Sequence, residues 1–587
     1  MPYPSFALAI LFALQSVTGA PVPTGEALQP TLGARDVYTE FKLPALSDSS
    51  EKTLLQDTQK LQVMQRAGLL GLNAHSATDA WTTAEITYQN AKRALVPATP
   101  SPAPVLFNGV LASRLNALLA QPDVTAVTVV SPELELDSPI HITRNNVNLN
   151  LGNAHLHLSH GGPYMIRVEG AQNVRLSGGS LEGIAWGILI SQSQNVLITQ
   201  MDLHDLLGGI VLTGSHDAVI WGNQFRSLHA AGVLLSGDTH HVTMAENEMS
   251  RNLGSSNWHA SVVLTDRNAA LVPNPANLFT SDQFWVKPQP ILDRLTFPHD
   301  NVVAYNHIAD NQSSGIYSDG SIRNVIIGNR IERNSKEGLC LDNGSTADVV
   351  AWNTLRANGK RWGKSDDDLK KEFVFKFARL PDGSSPAKLP GISLDNAAFN
   401  EVVFNEVDGN FGGGVKMVRT GIENVVGLNL LLDNNAGQND KFHFFGIELG
   451  AALADAPSVE LDFVPSQGNQ VFGNTIRGSH YAGIFFAAGS VGNNIFDNSI
   501  FGASAWAMES VRVQPNVVLN NLTNLKLRNI GSGLDPNLLT LGLGQNDPSP
   551  IVAPIATANS KEPRVKQAKT PPAASKKVAS PRSTAAN

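Results

Sequence analysis

Cysteine is almost absent from this chain, since Cys340 is the only one among 587 residues. A single cysteine excludes an intrachain disulfide and any zinc site built from several cysteines. We therefore expect the stability of the fold to come from packing and backbone pairing.

Positive charge is also in short supply, with 43 lysines and arginines against 51 aspartates and glutamates and a formal net charge of -8. This balance does not favour a nucleic-acid partner. The exception is the chain from Pro548 onward, which holds seven basic residues and one acidic residue. That stretch is rich in Pro, Ala, Ser and Lys, a composition typical of a disordered tail.

Long apolar runs are lacking as well. The short run Phe6–Leu14 is followed by the small residues Gly19 and Ala20. It is too short to span a bilayer and predicts a signal peptide, so we expect a secreted or periplasmic protein. An uncleaved anchor is the alternative. No later stretch is long and apolar enough for a membrane span.

What the chain does have is a clear change of character along its length. Apolar residues first recur at helical spacing, a proline-rich run follows, and apolar and polar residues then alternate as they do in strands. The predicted segments are a signal peptide (1–20), a loose lead-in (21–47), a helical segment (48–96), a proline-rich linker (97–104), a capping helix (105–123), a parallel β-helix (124–530) and a disordered basic tail (531–587).

The strongest signal is a repeat of the form Gly-apolar-x-apolar-x, whose uninterrupted copies lie about 23 residues apart. It begins at Gly187, Gly209, Gly232, Gly315, Gly338, Gly391, Gly414, Gly446 and Gly483. Each repeat holds short strands with no helical pattern between them, which excludes leucine-rich and βαβ designs. The pattern predicts an all-β parallel β-helix with one repeat per turn.

A second motif, which ends in asparagine, occurs once per repeat, for example at Asn329, Asn353 and Asn405. At a bend repeated on every turn, side-chain amides can hydrogen-bond to their copies above and below. We therefore expect these asparagines to be structural.

These repeats make residues 124–530 resemble the right-handed parallel β-helices of the pectin-lyase-like superfamily. Its members include polygalacturonases, pectate and alginate lyases, mannuronan epimerases and NosD-type periplasmic proteins. The resemblance implies the fold but no single reaction. The ordered polygalacturonase motifs are absent, and Phe297-Pro298-His299-Asp300 lacks the first Asp of the epimerase motif Asp-Pro-His-Asp. We do not transfer the epimerase role to His299.

The x positions of the repeat point outward, and equivalent positions in successive turns lie about 4.8 Å apart. In the middle turns the second x is an aspartate, at Asp319, Asp342 and Asp395. Carboxylates at that spacing repel, so one must hold a raised pKa, bind a cation or meet a base. The alternative is that each Asp simply closes its own turn. The residues predicted to carry chemistry are Asp319, Asp342, Asp395, Lys416, Arg419 and Glu448.

Long insertions interrupt the repeat on both sides of the aspartates, over 266–298, 356–390, 431–442 and 451–467. Such loops could wall a groove and carry aromatic side chains that stack on sugars. The residues predicted to bind substrate are Tyr317, Asn343, Asn396, Trp285, Trp362, His299 and His443. No definite cofactor is indicated, and a Ca²⁺ ion between carboxylates is one alternative.

We therefore expect an exported enzyme acting on a polysaccharide, in particular an acidic glycan, as a lyase, epimerase or hydrolase. Two alternatives stay open. One is a non-catalytic solenoid that binds glycans or assists a periplasmic assembly process, as NosD-type proteins do. The other is a purely structural surface protein. The sequence does not indicate the oligomeric state.

Overall fold

The structure is a computed structural model that describes residues 77–96, 103–159, 162–254, 259–265, 297–360, 389–418, 421–434, 445–450, 466–478, 480–486, 490–503, 506–511, 516–519, 521–523, 525, 527–530 and 539–541. The predicted signal peptide and lead-in, residues 48–76 of the predicted helical segment, most of the proline-rich linker and most of the basic tail lie outside these residues. So does most of each predicted insertion, and their role as groove walls stays a prediction.

The chain forms a right-handed parallel β-helix of about 13 turns, which confirms the predicted fold class. Each turn contributes three short strands, and each strand pairs in parallel with its equivalents in neighbouring turns. Three long parallel sheets result, which we number in the order in which one turn of chain visits them. Strands that bend through more than one sheet are β5 (Asn148–Leu158), β7 (Gln172–Ser191) and β9 (Asp202–Thr213).

The remaining strands each belong to one sheet. Sheet 1 contains β1 (Val105–Phe107), β2 (Ala126–Val129), β8 (Gln194–Thr199), β10 (Val219–Trp221), β13 (Thr243–Ala245), β16 (Val302–Ala304), β19 (Val325–Ile327), β22 (Val349–Ala351), β25 (Glu401–Val403), β28 (Val425–Gly427), β31 (Gln470–Phe472), β34 (Asn494–Phe496) and β37 (Val517–Leu519). Sheet 2 contains β3 (Glu133–Leu136), β11 (Gln224–Arg226), β14 (Glu248–Ser250), β17 (His307–Ala309), β20 (Arg330–Glu332), β23 (Thr354–Arg356), β26 (Glu406–Asp408), β29 (Leu430–Leu432), β32 (Thr475–Arg477), β35 (Ser499–Phe501), β38 (Asn521–Thr523) and β40 (Leu539–Leu541). Sheet 3 contains β4 (Ile140–Ile142), β6 (Tyr164–Glu169), β12 (Val233–Ser236), β15 (Val262–Thr265), β18 (Ile316–Asp319), β21 (Leu339–Asp342), β24 (Ile392–Asp395), β27 (Val415–Val418), β30 (Phe445–Leu449), β33 (Ala482–Phe486), β36 (Trp506–Val511) and β39 (Leu527–Ile530).

The repeated glycine stands at the start of the sheet 3 strands because the neighbouring turn passes very close there. A Cβ atom at Gly209 would lie 2.2 Å from the carbonyl oxygen of Gly232. The apolar residues that follow each glycine fill the inside of the helix, as Ile210 and Leu212 do. The glycine therefore allows close stacking of turns, and the two apolar places build the core.

The asparagines form ladders along the helix axis, as expected. Asn353 donates from both its backbone N and its Nδ2 to Oδ1 of Asn405 in the next turn, each at 3.0 Å. Its own Oδ1 accepts equivalent bonds from Asn329. Two further ladders run through Asn334 and Asn400, and the second of them contains Asp348 in place of an asparagine.

Two helices flank the β-helix in the described residues. Helix α1 (Ala77–Ala94) packs on the outer face of sheet 1, where the Tyr88 ring lies 4.9 Å from Trp221 and 4.8 Å from Tyr305. Helix α2 (Ala112–Leu119) buries Leu115 against the first turns, so it covers their apolar side chains as a cap would.

Two observations refine the predicted boundaries. Strand β1 occupies Val105–Phe107 within the segment expected to be helical from residue 105, and the helix there begins at Ala112. Strand β40 pairs with β38, so parallel pairing continues beyond residue 530. No helix among the described residues has the length and apolar character needed to cross a bilayer.

Candidate functional site

The predicted aspartates lie side by side on sheet 3. Asp319 is in register with Asp342, and Asp342 is in register with Asp395 on the following turn. Thr265 precedes this column and Val418 follows it. Adjacent members are therefore separated by about the spacing of paired strands.

A second column runs parallel to the first, two residues earlier in each strand. Its members are Tyr317, Cys340, Ser393, Lys416 and Glu448, each in register with the next. Tyr317 and Cys340 belong to an apolar cluster outside the main core, so this column lies on the outer face of the sheet. The structure thus brings the polar groups of five consecutive turns onto one face.

The carboxylates of the first column are shielded from solvent although they lie on the outer face. Asp319 is 2% exposed and Asp342 is 7% exposed, whereas Asp395 is half-buried. Tyr317 OH donates to Asp342 Oδ2 at 3.0 Å. Asn343 Nδ2 donates to Asp319 Oδ1 at 2.5 Å. Hydrogen bonds from neutral donors therefore stabilise the two buried carboxylates.

Backbone geometry explains why asparagine follows the aspartate on two turns. Asn343 has φ of 50° and Asn396 has φ of 54°, both in the left-handed region that asparagine tolerates well. The Asn343 backbone N also donates to Oδ1 of Asp342 at 2.7 Å. Asp342 therefore accepts a hydrogen bond from its own turn, as the turn-closing alternative predicts, while it also belongs to the polar column.

The phenol of Tyr317 is held in its protonated form. Burial raises the pKa of Tyr317 well above its ordinary value, and the negative charges of Asp342 and Asp319 raise it further. A protonated phenol can donate a hydrogen bond but cannot act as a base. Tyr317 is therefore a donor to the carboxylate column.

Lys416 and Glu448 form an ion pair in the second column, with Lys416 Nζ 3.3 Å from Glu448 Oε2. Burial raises the pKa of Glu448, while Lys416 works in the opposite direction. Glu448 Oε1 has no hydrogen-bond partner within the described part of the chain. Buried polar atoms are usually hydrogen-bonded, so this oxygen is an exception that invites a functional explanation.

Several predicted residues do not join this constellation. Arg419, Trp285, Trp362 and His443 lie outside the described residues, and their predicted roles stay predictions. His299 lies in a different column, at the corner ahead of sheet 1, where it bridges to His240 and Ile322. The two columns on sheet 3 therefore contain the other predicted groups, with Asn343 and Asn396 beside them.

Sequence reasoning missed two buried acidic residues on the same sheet. Glu509 follows Phe485 in register and so extends the second column, but its strand lacks the repeated glycine. Glu337 precedes the repeated glycine of β21 and accepts a hydrogen bond from Ser314 Oγ at 2.9 Å. A search of the positions flanking each glycine would have found Glu337.

The carboxylate column does not form a metal cluster with the residues that the structure describes. Three groups of potential metal ligands occur among those residues, and all of them contain histidine and lie on sheet 2 or at the corner ahead of sheet 1. The Ca²⁺ alternative for the column stays a prediction.

The sequence profile of the family described as periplasmic copper-binding protein (NosD) matches residues 142–274 and 294–371. These two stretches make up just over a third of the chain and cover turns from β4 to β23. No curated protein gives a significant match. A periplasmic family with a parallel β-helix fold supports the exported location that the N-terminal sequence predicts, either periplasmic or secreted.

Solved structures similar to this chain are also β-helical proteins. The chain is 12% identical to DFA-IIIase from Arthrobacter chlorophenolicus A6 in complex with DFA-III, with a TM-score of 0.35 over 64% of this chain and 89% of that one. It is 13% identical to the A-module of mannuronan C-5 epimerase AlgE6 from Azotobacter vinelandii, with a TM-score of 0.34 over 70% and 89%. It is 12% identical to PfbA, a surface adhesin of Streptococcus pneumoniae, with a TM-score of 0.36 over 68% and 88%. At these identities the likeness concerns the fold alone.

Proposed function

We propose that this exported β-helix protein acts on an acidic polysaccharide at the outer face of sheet 3, along the turns from β18 to β30. The observation that carries the proposal is the in-register column Asp319, Asp342 and Asp395 beside the Lys416–Glu448 pair. Extended glycans suit a surface whose chemical groups repeat at a regular spacing along one axis.

The groups of the two columns have complementary capabilities. Asp342, which receives the Tyr317 hydrogen bond, is a carboxylate that can accept a proton. Glu448 is a second carboxyl group, whose pKa is raised by burial and lowered by its partner Lys416. Acid–base chemistry at a glycosidic bond or a uronic acid needs its acid and base within about 10 Å of each other. Asp342 and Glu448 stand three turns apart, so Asp342 would act with Asp395 on the next turn, and Glu448 with Lys416.

Lys416 suits the acidic class of substrate. Its ammonium can turn from Glu448 toward the carboxylate of a uronic acid, which lowers the charge that an elimination or epimerisation must develop. A neutral glycan would have no group for this lysine. We therefore expect acidic polysaccharides to be preferred.

The proposal is tested by incubating the full chain with a panel of acidic and neutral polysaccharides, with and without chelator. The ultraviolet absorbance of unsaturated uronates measures elimination, and released reducing ends measure cleavage of either kind. Epimerisation requires proton NMR of the product, because it releases neither. We expect one acidic polysaccharide to be converted.

The variants Asp342→Asn and Lys416→Ala should each lower the rate at least 100-fold with the fold intact. Asp202→Asn is the matched control, since Asp202 is a partly exposed aspartate on sheet 2, paired with Arg226. If the chain binds an acidic glycan without converting it, and the same variants abolish binding, the protein is a glycan-binding module and not an enzyme. The proposal would be contradicted if the chain neither converted nor bound any acidic polysaccharide.

A further inference from the structure

Three histidines form a ladder at the corner of the β-helix ahead of sheet 1. His216, His240 and His299 occupy equivalent places on consecutive turns and are joined by parallel bridges. The ring centroids of His216 and His240 lie 4.9 Å apart, and those of His240 and His299 lie 4.8 Å apart. The rings are close to parallel, with interplanar angles of 6° and 15°.

One nitrogen of His299 is fixed by an outer layer of charged groups. Its Nδ1 lies 2.7 Å from Asp300 Oδ2. Arg323 donates to the same carboxylate from Nε at 2.8 Å and from Nη2 at 2.5 Å, so a bidentate ion pair fixes its position beside the ring. Nδ1 therefore carries the proton, and in the neutral imidazole Nε2 presents a lone pair.

Nε2 faces a second carboxylate. Asp238 Oδ1 lies 3.2 Å from His299 Nε2. Two acceptors at this distance repel unless a proton or a metal cation lies between them. The histidine side chain is 17% exposed and the aspartate side chain 55% exposed, so an ion could enter from the solvent side of Asp238.

His240 completes the group. Its Nδ1 lies 2.7 Å from Nδ1 of His241, so its other nitrogen is the one available to a ligand. Candidate ligand atoms of Asp238, His240 and His299 lie within 4.8 Å of one another. His299, hydrogen-bonded to a carboxylate through Nδ1, has the usual arrangement of a metal-binding histidine, whereas the His240 ring is held by a neighbouring imidazole.

Two other histidine-containing groups lie on sheet 2 and lack this preparation. In one of them His155 Nε2 is 3.5 Å from Glu182, with both side chains at least a third exposed. In the same group both nitrogens of His204 are already engaged, by Asp205 at 3.1 Å and by Ser180 at 3.0 Å. The corner group is therefore the best prepared of the three in the described residues.

We propose that Asp238, His240 and His299 bind a divalent transition-metal ion, with Asp300 and Arg323 holding the His299 ring in place. Two imidazoles and one carboxylate suit Zn²⁺ or Cu²⁺ rather than Ca²⁺ or Mg²⁺. Three protein ligands leave a position for water or another molecule.

A metal at this corner would link two adjacent turns that a long insertion separates in the sequence. His240 and His299 lie on adjacent turns, although residues 266–296 come between them in the sequence. An ion that binds only the folded arrangement shifts the unfolding equilibrium toward the native state. The proposed site would therefore stabilise the junction across this insertion.

The test uses the full chain, stripped of metal by chelator and dialysis. Zn²⁺ is titrated by isothermal titration calorimetry, and Cu²⁺ is followed by electron paramagnetic resonance, which counts coordinated nitrogens. We expect one equivalent of either ion to bind at this site, two nitrogens in the copper spectrum, and a rise in the thermal midpoint on adding Zn²⁺.

Single variants assign the site. His240→Ala, His299→Ala and Asp238→Asn should each lower the affinity of that equivalent at least tenfold, and Asp300→Asn should lower it 10- to 100-fold through the orientation of His299. His307→Ala is the matched control, because His307 is a partly exposed histidine on sheet 2 that already contacts Glu248 and Glu332. It should leave this equivalent unchanged.

Failure of both ions to bind the wild-type chain would overturn the proposal, since a proton would then suffice between His299 and Asp238. An affinity that falls equally in His307→Ala would also overturn it, because binding would then belong to scattered surface histidines. Circular dichroism checks each variant, and Asp238→Asn, with its exposed side chain, keeps the test valid where a histidine variant does not fold. No glycan is used, so the outcome is independent of the proposed function.

Discussion

Asp348 is the residue whose replacement should change the stability of the β-helix most informatively. It stands between Asn324 and Asn400 in a ladder otherwise made of asparagines. Its side chain is completely buried, and this burial raises its pKa from 3.8 to about 7, although hydrogen bonds from Asn324 and Ser321 oppose the rise. The folded state is therefore more stable when the Asp348 carboxyl group is neutral than when it is ionised.

The size and sign of the effect follow from that pKa. An aspartate in the unfolded chain has a pKa of about 3.9. Because the folded-state pKa is higher, the stabilising contribution is complete below about pH 4 and is lost as the pH rises through about 7. A difference of about three units corresponds to roughly 4 kcal/mol at pH 8, and the change from pH 5.5 to 7.5 accounts for about 2 kcal/mol.

The substitution Asp348→Asn should remove this penalty. The new amide can donate to Oδ1 of Asn400, as Asn353 does to Asn405 in the neighbouring ladder. We expect the free energy of unfolding at pH 8 to rise by up to about 4 kcal/mol, with little change near pH 4. The measurement is urea unfolding followed by circular dichroism at several pH values.

The control for this experiment is Asp310→Asn, which changes a partly exposed aspartate on sheet 2 that pairs with Arg333. It should leave the pH dependence of unfolding in place. The reasoning would be refuted if Asp348→Asn kept the wild-type pH dependence, or if it were less stable than the wild type at pH 8.

Four further substitutions probe the packing of the turns and of helix α1. Asn353→Ala leaves ladder donors of the preceding turn without their acceptor and should cost about 3 kcal/mol or more in urea unfolding. Gly209→Ala forces a Cβ to within 2.2 Å of a carbonyl oxygen and should cost at least 1–3 kcal/mol, whereas Gly222→Asn, at a left-handed position with open space, should cost much less. Tyr88→Phe removes the 2.5 Å bond to Glu246 and should lower the protection of the helix α1 amides in hydrogen exchange by about 1 kcal/mol.

The architecture could be predicted from the sequence because its determinants are local and repeated. Gly209 and its equivalents show where turns approach each other, and Asn353 and its equivalents show where amides stack. Register follows once the repeats are aligned, which is why Asp319 and Asp342 were expected to be neighbours. A single repeat carries this information, and its recurrence makes the pattern unmistakable.

The finer properties of the candidate site depend on contacts between turns and could not be predicted in this way. Nothing in the local sequence indicates that Tyr317 donates to Asp342 on the next turn, or that Asp319 is buried on an outer face. The sequence predicts that His299 binds substrate, yet the position of His299 depends on His240, from which a long insertion separates it in sequence. Tertiary packing decides these features, and periodicity does not report it.

Hydrogen–deuterium exchange with mass spectrometry, in the presence and absence of an acidic polysaccharide, tests the central claim most directly. The account predicts that the polysaccharide slows exchange in peptides covering β18, β21, β24, β27 and β30, and that Asp342→Asn with Lys416→Ala removes this protection. Protection confined to sheet 2 or to the His216–His299 corner, with no change on those five strands, would contradict it.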